Sequence, residues 1–514
     1  MKKAIILILF LPVISLSQPK FYNITNYGAT GDGTTFNTEA INATIHAASE
    51  NGGGTVYFPA GDFLSYTIHL QSNITLYLDQ GARLIGAKEK NGVGYDAPEE
   101  DAWFKKYQDF GHNYWRNSLL YGDSLHDVAI LGNGMIWGKG LYTHDKPDIK
   151  GAGNKAIALK NCRNVTIRDI SILHGGHFCI LATGVDNLTI DNVRADADRD
   201  AFDIDCCKNV AISNCIINSP TDDGLCLKSS YALGYTRATE NVTITNCQVY
   251  GFDHGTLMDG TFKSDFLDEA PDAGHCITGR LKMGTESNGG FKNIVVSNCV
   301  FQRSRGLAIE TADGGVIEDI LIDNVSMRDV TDTPFFIRLN ARMRGPEGTP
   351  VGVCRRITLS NLNVYDVGGR PKSPELGAGM VMGIPGHYIE DLTLSNIRIY
   401  FRAGAGKDAV DMEVPQNIDM YPDPYRWHSM PAYGIYFRYV KGLKVKDVVF
   451  RYMNTDERPA FVLDDVHDAE FYHIDAQKID GAPLFLLNNV SEAAFHQVRG
   501  IQDMRLDKVE RQEF

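Results

Sequence analysis

Acids bunch at three places in this 514-residue chain. They are Asp198-Arg199-Asp200-Ala201-Phe202-Asp203-Ile204-Asp205, then Thr221-Asp222-Asp223-Gly224, then Asp253-His254-Gly255. Counted along the repeat described below, Asp222 and His254 share one offset, and Asp200 falls one repeat before Asp222-Asp223. These residues should cluster on one outer face. Stacked like charges repel, so a calcium site or a solvated acidic edge is one explanation. The other is a pair of carboxylates that cleaves a glycosidic bond. One carboxyl gives a proton and the other activates water, with inverting enzymes holding the two roughly 6.5–9.5 Å apart. A like-charged neighbour raises one pKa and keeps that carboxyl protonated near neutrality.

Cations follow at Arg280-Leu281-Lys282. On a strand, Arg280 and Lys282 share one face. Together they could hold a substrate carboxylate, Arg by its fork and Lys as a point charge. Lys228 and Arg199 are further substrate-binding candidates. Cys206-Cys207 lacks metal-ligand spacing, so no zinc site is expected. Hydrolysis by paired carboxylates needs no metal and no cofactor.

What must position these groups is a repeat. The pattern is Asn/Asp, apolar, any, apolar, polar, Asn/Asp, then Cys or a small apolar residue. Clear copies start at Asn164, Asn187, Asn209, Asn241 and Asn293, and weaker ones at Asp127, Asp319, Arg356, Asp391, Gly442 and Asp468. Uninterrupted starts lie roughly 22–26 residues apart, a solenoid period. Alternating, β-branched residues within each copy argue short strands. The expected fold is all-β, a right-handed parallel β-helix. Equivalent residues should stack about 4.8 Å apart. Asn214, Asn246, Asn298, Asn324, Asn361 and Asn396 should form a ladder of amides that satisfies backbone groups at one bend. Thr38–Ser49 reads as a short amphipathic helix capping the N-terminal end.

Four stretches interrupt the repeat, near 88–123, 261–279, 338–354 and 403–432, and loops on repeat proteins gather on the binding face. The first is rich in aromatics (Trp103, Phe104, Tyr107, Phe110, Tyr114, Trp115), which would either stack on sugar rings or form a small core of their own. Residues 1–17 read as a signal peptide, and 18–514 as a single catalytic solenoid, secreted to the periplasm or beyond. No Cys lies near the cleavage point, so no lipid anchor is expected. Ten cysteines in such a compartment suggest disulfides by default, but the shared repeat position of Cys215, Cys247 and Cys299 favours buried stacked thiols. A net charge of −14 argues against general nucleic-acid binding. The expected partner is an acidic polysaccharide or oligosaccharide, met by a monomer with no membrane anchor.

From YGATGDG at Tyr27 to at least Gly315 the chain resembles the pectin-degrading polygalacturonases, glycoside hydrolase family 28, whose motifs are NTD, DD, HG and RIK. Asp200 matches the first catalytic Asp, Asp198 stands for the usual Asn, and Asp222-Asp223 match the paired Asp with Thr221 before them. His254-Gly255 match HG, and Arg280-Leu281-Lys282 match RIK. The resemblance implies an inverting mechanism on a uronic-acid substrate, with Asp222 as general acid and Asp200 and Asp223 activating water. A second alignment assigns Leu281-Lys282-Met283-Gly284 to the HG turn. It leaves Ala308-Ile309-Glu310 at the RIK position and lets His275 compete with His254. The first alignment keeps both cations.

The leading expectation is thus a secreted hydrolase of a pectin-type polymer, exo-acting because loops would close one end of the groove. A polysaccharide lyase on the same fold, or a non-catalytic sugar-binding solenoid, are the alternatives.

Overall fold

The computed structural model describes residues 20–100, 103–107, 112, 114–144, 149–265, 277–368, 377–427 and 429–514. The signal-peptide reading and His275 lie outside them.

The strands form one sheet wound on itself, each turn pairing in parallel with the next. The turn Phe178–Thr183, Asp186–Asp191, Arg194–Asp196 stacks on the turn Asp200–Asp205, Lys208–Ser213, Ile216–Asn218. Every second side chain points inward. One inner row runs Ile180, Phe202, Leu225, Leu281, Leu307, Phe335, all buried. This is the parallel β-helix expected from the repeat.

The Asn/Asp positions of the repeat are explained by backbone geometry. Asn164, Asn187, Asn209, Asn241 and Asn293 all have φ between 54° and 58°, the left-handed region that Asn tolerates better than other side chains. Their amides stack from turn to turn: Asn187 donates to Asn164 at 2.9 Å, Asn209 to Asn187 at 3.1 Å, Asn241 to Asn209 at 3.0 Å and Asn293 to Asn241 at 2.8 Å. The row beginning at Asn214 was expected to be the ladder, and it holds in part. Asn246 reaches Asn214, Asn324 reaches Asn298 and Asn396 reaches Asn361, but Asn361 bonds Asp323 and Asn298 bonds Thr245 Oγ1. Both rows are exposed and bond chiefly to side chains, so they lock the bends rather than rescue buried backbone.

The helix Thr38–Glu50 buries Ile41, Thr44, Ile45 and Ala48 over the N-terminal end. At the other end, Met504–Glu513 runs antiparallel to Phe485–Val498, and Phe514 packs on Phe485 and Phe495. The nine described cysteines are free and buried.

Two interruptions are shorter than the sequence suggested. Ser118–Asp123 is a strand paired with Lys155–Lys160, so the first ends by residue 117. Phe335–Leu339 and Val353–Val367 are strands that leave only 340–352 for the third. Trp115 is buried against Ala158, Phe178, Leu181 and Ala232, with Trp103 and Tyr114 packed on that cluster. These aromatics are a small core that fastens the loop to the solenoid. Among the described residues, no helix is long and apolar enough to cross a membrane.

Candidate active site

The register of the outer strands brings the acids together. Ala201 N donates to Asp223 O at 3.0 Å, setting Asp200 beside Asp223 in the next turn. Asp223 N then donates to Asp200 Oδ1 at 3.2 Å and to Asp222 Oδ1 at 3.0 Å. One oxygen from each of the three carboxyls lies within 4.8 Å of the others.

The histidine and the basic pair stand differently from expectation. His254-Gly255 and Arg280–Lys282 were assigned to successive turns. In the structure Asn218 pairs with Tyr250 and Leu225 pairs directly with Leu281, so all of 251–280 is one excursion within a single turn. Arg280 and Lys282 therefore adjoin Asp223, and the following turn carries Ala308 opposite Lys282, with Glu310 beyond it. This is the register of the second alignment. It arises because the long excursion hides a strand start that carries no Asn marker.

Arg280 is 3% exposed. Its Nε donates to Asp223 Oδ1 at 2.6 Å and its Nη2 to Asp423 Oδ2 at 3.3 Å. It stands behind the carboxylate rather than facing substrate. Lys282 Nζ lies 3.5 Å from Asp223 Oδ2 and donates to Tyr421 OH at 2.9 Å. Lys228 Nζ donates to buried Glu286 at 2.7 Å. Arg199 donates from Nε to Asp222 Oδ2 at 3.0 Å and from Nη2 to the same oxygen. His254 Nδ1 lies 3.0 Å from the Ala197 carbonyl.

These groups line two adjoining spaces. The inner one, about 250 Å³, is bounded by His112, Arg199, Asp200, Asp222, Asp223, Lys228, Lys282 and Tyr421. The outer one, about 810 Å³, is bounded by Thr143, His144, Asp198, Arg199, Thr221, Asp222 and His254. Arg199 and Asp222 belong to both, so they mark the boundary.

The acids are tuned apart. Burial, and next the charge of Asp222, push Asp200 well above the carboxylate range. Burial would raise Asp223 too, but Arg280, Lys282 and Lys228 outweigh it and hold that carboxyl below the usual range. One member of the cluster thus keeps a proton while its neighbour stays ionised, the division that acid–base work needs. His177 is driven well below its ordinary value by burial, then by Arg199 and His112, and stays neutral.

Two sets could hold a cation by distance: the three acids, and His112 with His177 and Asp200. Both already face protein cations. Arg199 Nη1 lies 2.8 Å from His177 Nε2, and Arg280 and Lys282 sit on Asp223. A metal there would meet that charge.

Four residues of the site escaped the sequence reading. His177 sits one register step from Arg199, since Phe178 pairs with Asp200, so strand stacking could have found it. His112 comes from the first interruption and stands 3.3 Å from Asp203, and Tyr421 and Asp423 come from the fourth. No local pattern marks these three.

Residues 21–117 match the family described as rhamnogalacturonase A/epimerase, pectate lyase-like, and residues 116–267 match the right handed beta helix region. The chain is 23% identical over 411 residues to a probable polygalacturonase of Vitis vinifera, covering 75% of each. It is 24% identical over 397 residues to an exo-poly-alpha-D-galacturonosidase of Dickeya chrysanthemi, covering 70% of this chain and 64% of that one. In structure it resembles the family 28 exopolygalacturonase of Yersinia enterocolitica, with a TM-score of 0.63 at 15% identity over 90% of this chain and 80% of the other. That likeness is one of fold.

Proposed function

We propose that this chain, a relative of the polygalacturonases in sequence and fold, is a glycoside hydrolase that removes sugar units from the end of a uronic-acid-containing, pectin-type chain. The observation that carries the reading is a pocket lined by both strand and loop residues. Three carboxyls, of which Asp200 and Asp223 are tuned apart, meet cations at a space of about 250 Å³ that shares Arg199 and Asp222 with a wider cleft. Lys228 and Lys282 would hold the carboxylate of a terminal uronate there. Arg280, which reaches no lining position, would act through Asp223 by keeping it ionised.

Asp222 sits where pocket meets cleft and is the partly exposed member of the three, so it is assigned the proton transfer to the leaving oxygen. Asp200 and Asp223 would orient and deprotonate water. An inverting outcome is carried by the family resemblance. Exo action is supported by the walls. His112 from the first interruption and Tyr421 from the fourth bound the pocket, while the cleft lacks both. A chain end fits such a pocket and a chain middle does not. Secretion belongs to the same reading, since the polymer lies outside the cell. We place the active form as a monomer with no metal requirement.

The test is product release from defined homogalacturonan and rhamnogalacturonan oligomers, sized over time, with proton NMR of the first anomer formed. Mono- or disaccharide release with inverted configuration is expected. An ultraviolet-absorbing unsaturated product would establish a lyase instead, and no release from any substrate would remove the enzymatic reading.

A further inference from the structure

We infer that Arg199 makes cleavage conditional on a charged sugar: the carboxylate of the sugar in the cleft takes the guanidinium from Asp222 and so frees Asp222 to act as the acid. This rests on the hydrolase reading above.

Asp222 Oδ2 receives two N–H groups of Arg199. Hydrogen bonds from a guanidinium to a carboxylate are roughly twice as strong as those between neutral groups. An oxygen so engaged accepts two N–H groups and is not free to present itself to a glycosidic oxygen. Yet Asp222 is the acid shared by pocket and cleft. The best-placed acid is therefore tied to a cation, while buried Asp200 is the member of the cluster held above the usual carboxylate range.

The cations are divided between the two spaces. Lys228 and Lys282 line the pocket alone. Among the described residues lining the cleft, Arg199 is the one Lys or Arg. A uronate in the cleft thus finds one fixed cation, and that cation is the partner of Asp222. Exchange of carboxylates on a guanidinium keeps a charge-assisted pair while changing its owner.

The guanidinium is also backed from behind. Its Nη1 lies 2.8 Å from Nε2 of His177, whose ring is fixed by Nδ1 at 2.8 Å from the Thr143 carbonyl. It can turn between two carboxylates without leaving the boundary. Once it turns, Asp222 and Asp200 are close carboxyls with one proton and no cation between them. The proton moves from Asp200 to Asp222, none is taken from solvent, and Asp200 becomes the base. A neutral sugar in the cleft leaves the Arg199–Asp222 pair intact.

The experiment compares digalacturonate with the same dimer methyl-esterified at its reducing-end sugar, the one that occupies the cleft. The wild-type kcat should fall roughly 100-fold on the ester, the scale of a general acid's contribution, with a smaller change in KM. Arg199→Gln should be slow on both and lose the distinction, with kcat values within about threefold, whereas Arg199→Lys should regain part of it. Equal wild-type kcat on the two dimers overturns the inference without any variant, and so does a wild-type ratio retained in Arg199→Gln. Wild-type failure on both dimers and on polymer would instead remove the hydrolase reading and this inference with it.

Discussion

The floor and the walls of the site are built in opposite ways. The floor is strand-borne: Asp200, Asp223, Lys228 and Lys282 lie at or within strands of successive turns, fixed by parallel pairing. The walls are loop-borne: His112 arrives from nearly ninety residues before Asp200, and Tyr421 from 139 residues beyond Lys282. Register leaves the floor little freedom, so floor residues suit charge placement, where about 1 Å of error costs heavily. Loops can be lengthened without disturbing the turns, so they suit the choice of where along a polymer the floor acts. The difference predicts that floor substitutions change whether a bond is cut, and wall substitutions change which bond is cut.

The sharpest test lies where floor meets wall, at Asp222. Asp222→Asn keeps the shape of the side chain and removes the proton, and turnover should fall on the order of 100-fold or more. Near-wild-type rates with a normally folded variant would move the acid to another residue and break the assignment. Circular dichroism and thermal unfolding give the folding control.

Next in size come the walls. His112→Ala and Tyr421→Ala open the pocket from two sides. Monosaccharide release should fall about tenfold through lost positioning, while intermediate oligomers begin to appear from polymer. An unchanged product ladder in both variants would show that exo action is set elsewhere.

This division also governs what the sequence disclosed. The solenoid was legible because left-handed bends demand Asn or Asp every turn, which prints a period on the chain. The acids were legible because they sit at fixed offsets from those markers. The placement of Arg280 and Lys282 went astray where the markers stop: the 251–280 excursion returns at Leu281 with no Asn before it. The expected ladder from Asn214 is interrupted while the row from Asn164 to Asn293 is continuous; both rows carry Asn, and only geometry shows which amides align throughout. His112, Tyr421 and Asp423 are loop residues whose contacts span long separations, and no local spacing records such contacts.

Charging the floor also has a cost, and Glu310 shows it. It lies one turn beyond Lys282, fully buried, with no hydrogen-bond partner for either carboxylate oxygen among the described residues. Burial pushes it from 4.5 up to about 7, against the pull of Lys282 and Arg280. A folded value above the unfolded one means that the fold favours the protonated form. That contribution is complete below pH 4.5 and is lost as the pH rises through about 7. Glu310→Gln should therefore raise Tm at pH 8, by a few degrees at most, and leave it unchanged near pH 4. A lower Tm at pH 8 would mean that Lys282 and Arg280 need the charge more than burial opposes it.

The smallest effect should come far from the site, in the ladder that sets the register. Asn241 donates to Asn209 at 3.0 Å, accepts from Asn293 at 2.8 Å, and holds φ of 58°. Asn241→Ala removes both bonds and puts a residue with a Cβ and no local polar partner in the left-handed region. The bonds are exposed, so each contributes at the low end of roughly 0.5–1.5 kcal/mol. The backbone adds about 1 kcal/mol, which Gly would not incur. Denaturant unfolding should thus place Asn241→Ala about 1–2 kcal/mol below wild type, with Asn241→Gly between them. Turnover should stay within a factor of two, because the neighbouring turns still pair along every backbone position. A large loss of turnover without loss of stability would show that the bends transmit to the floor, and the separation between scaffold and site would fail.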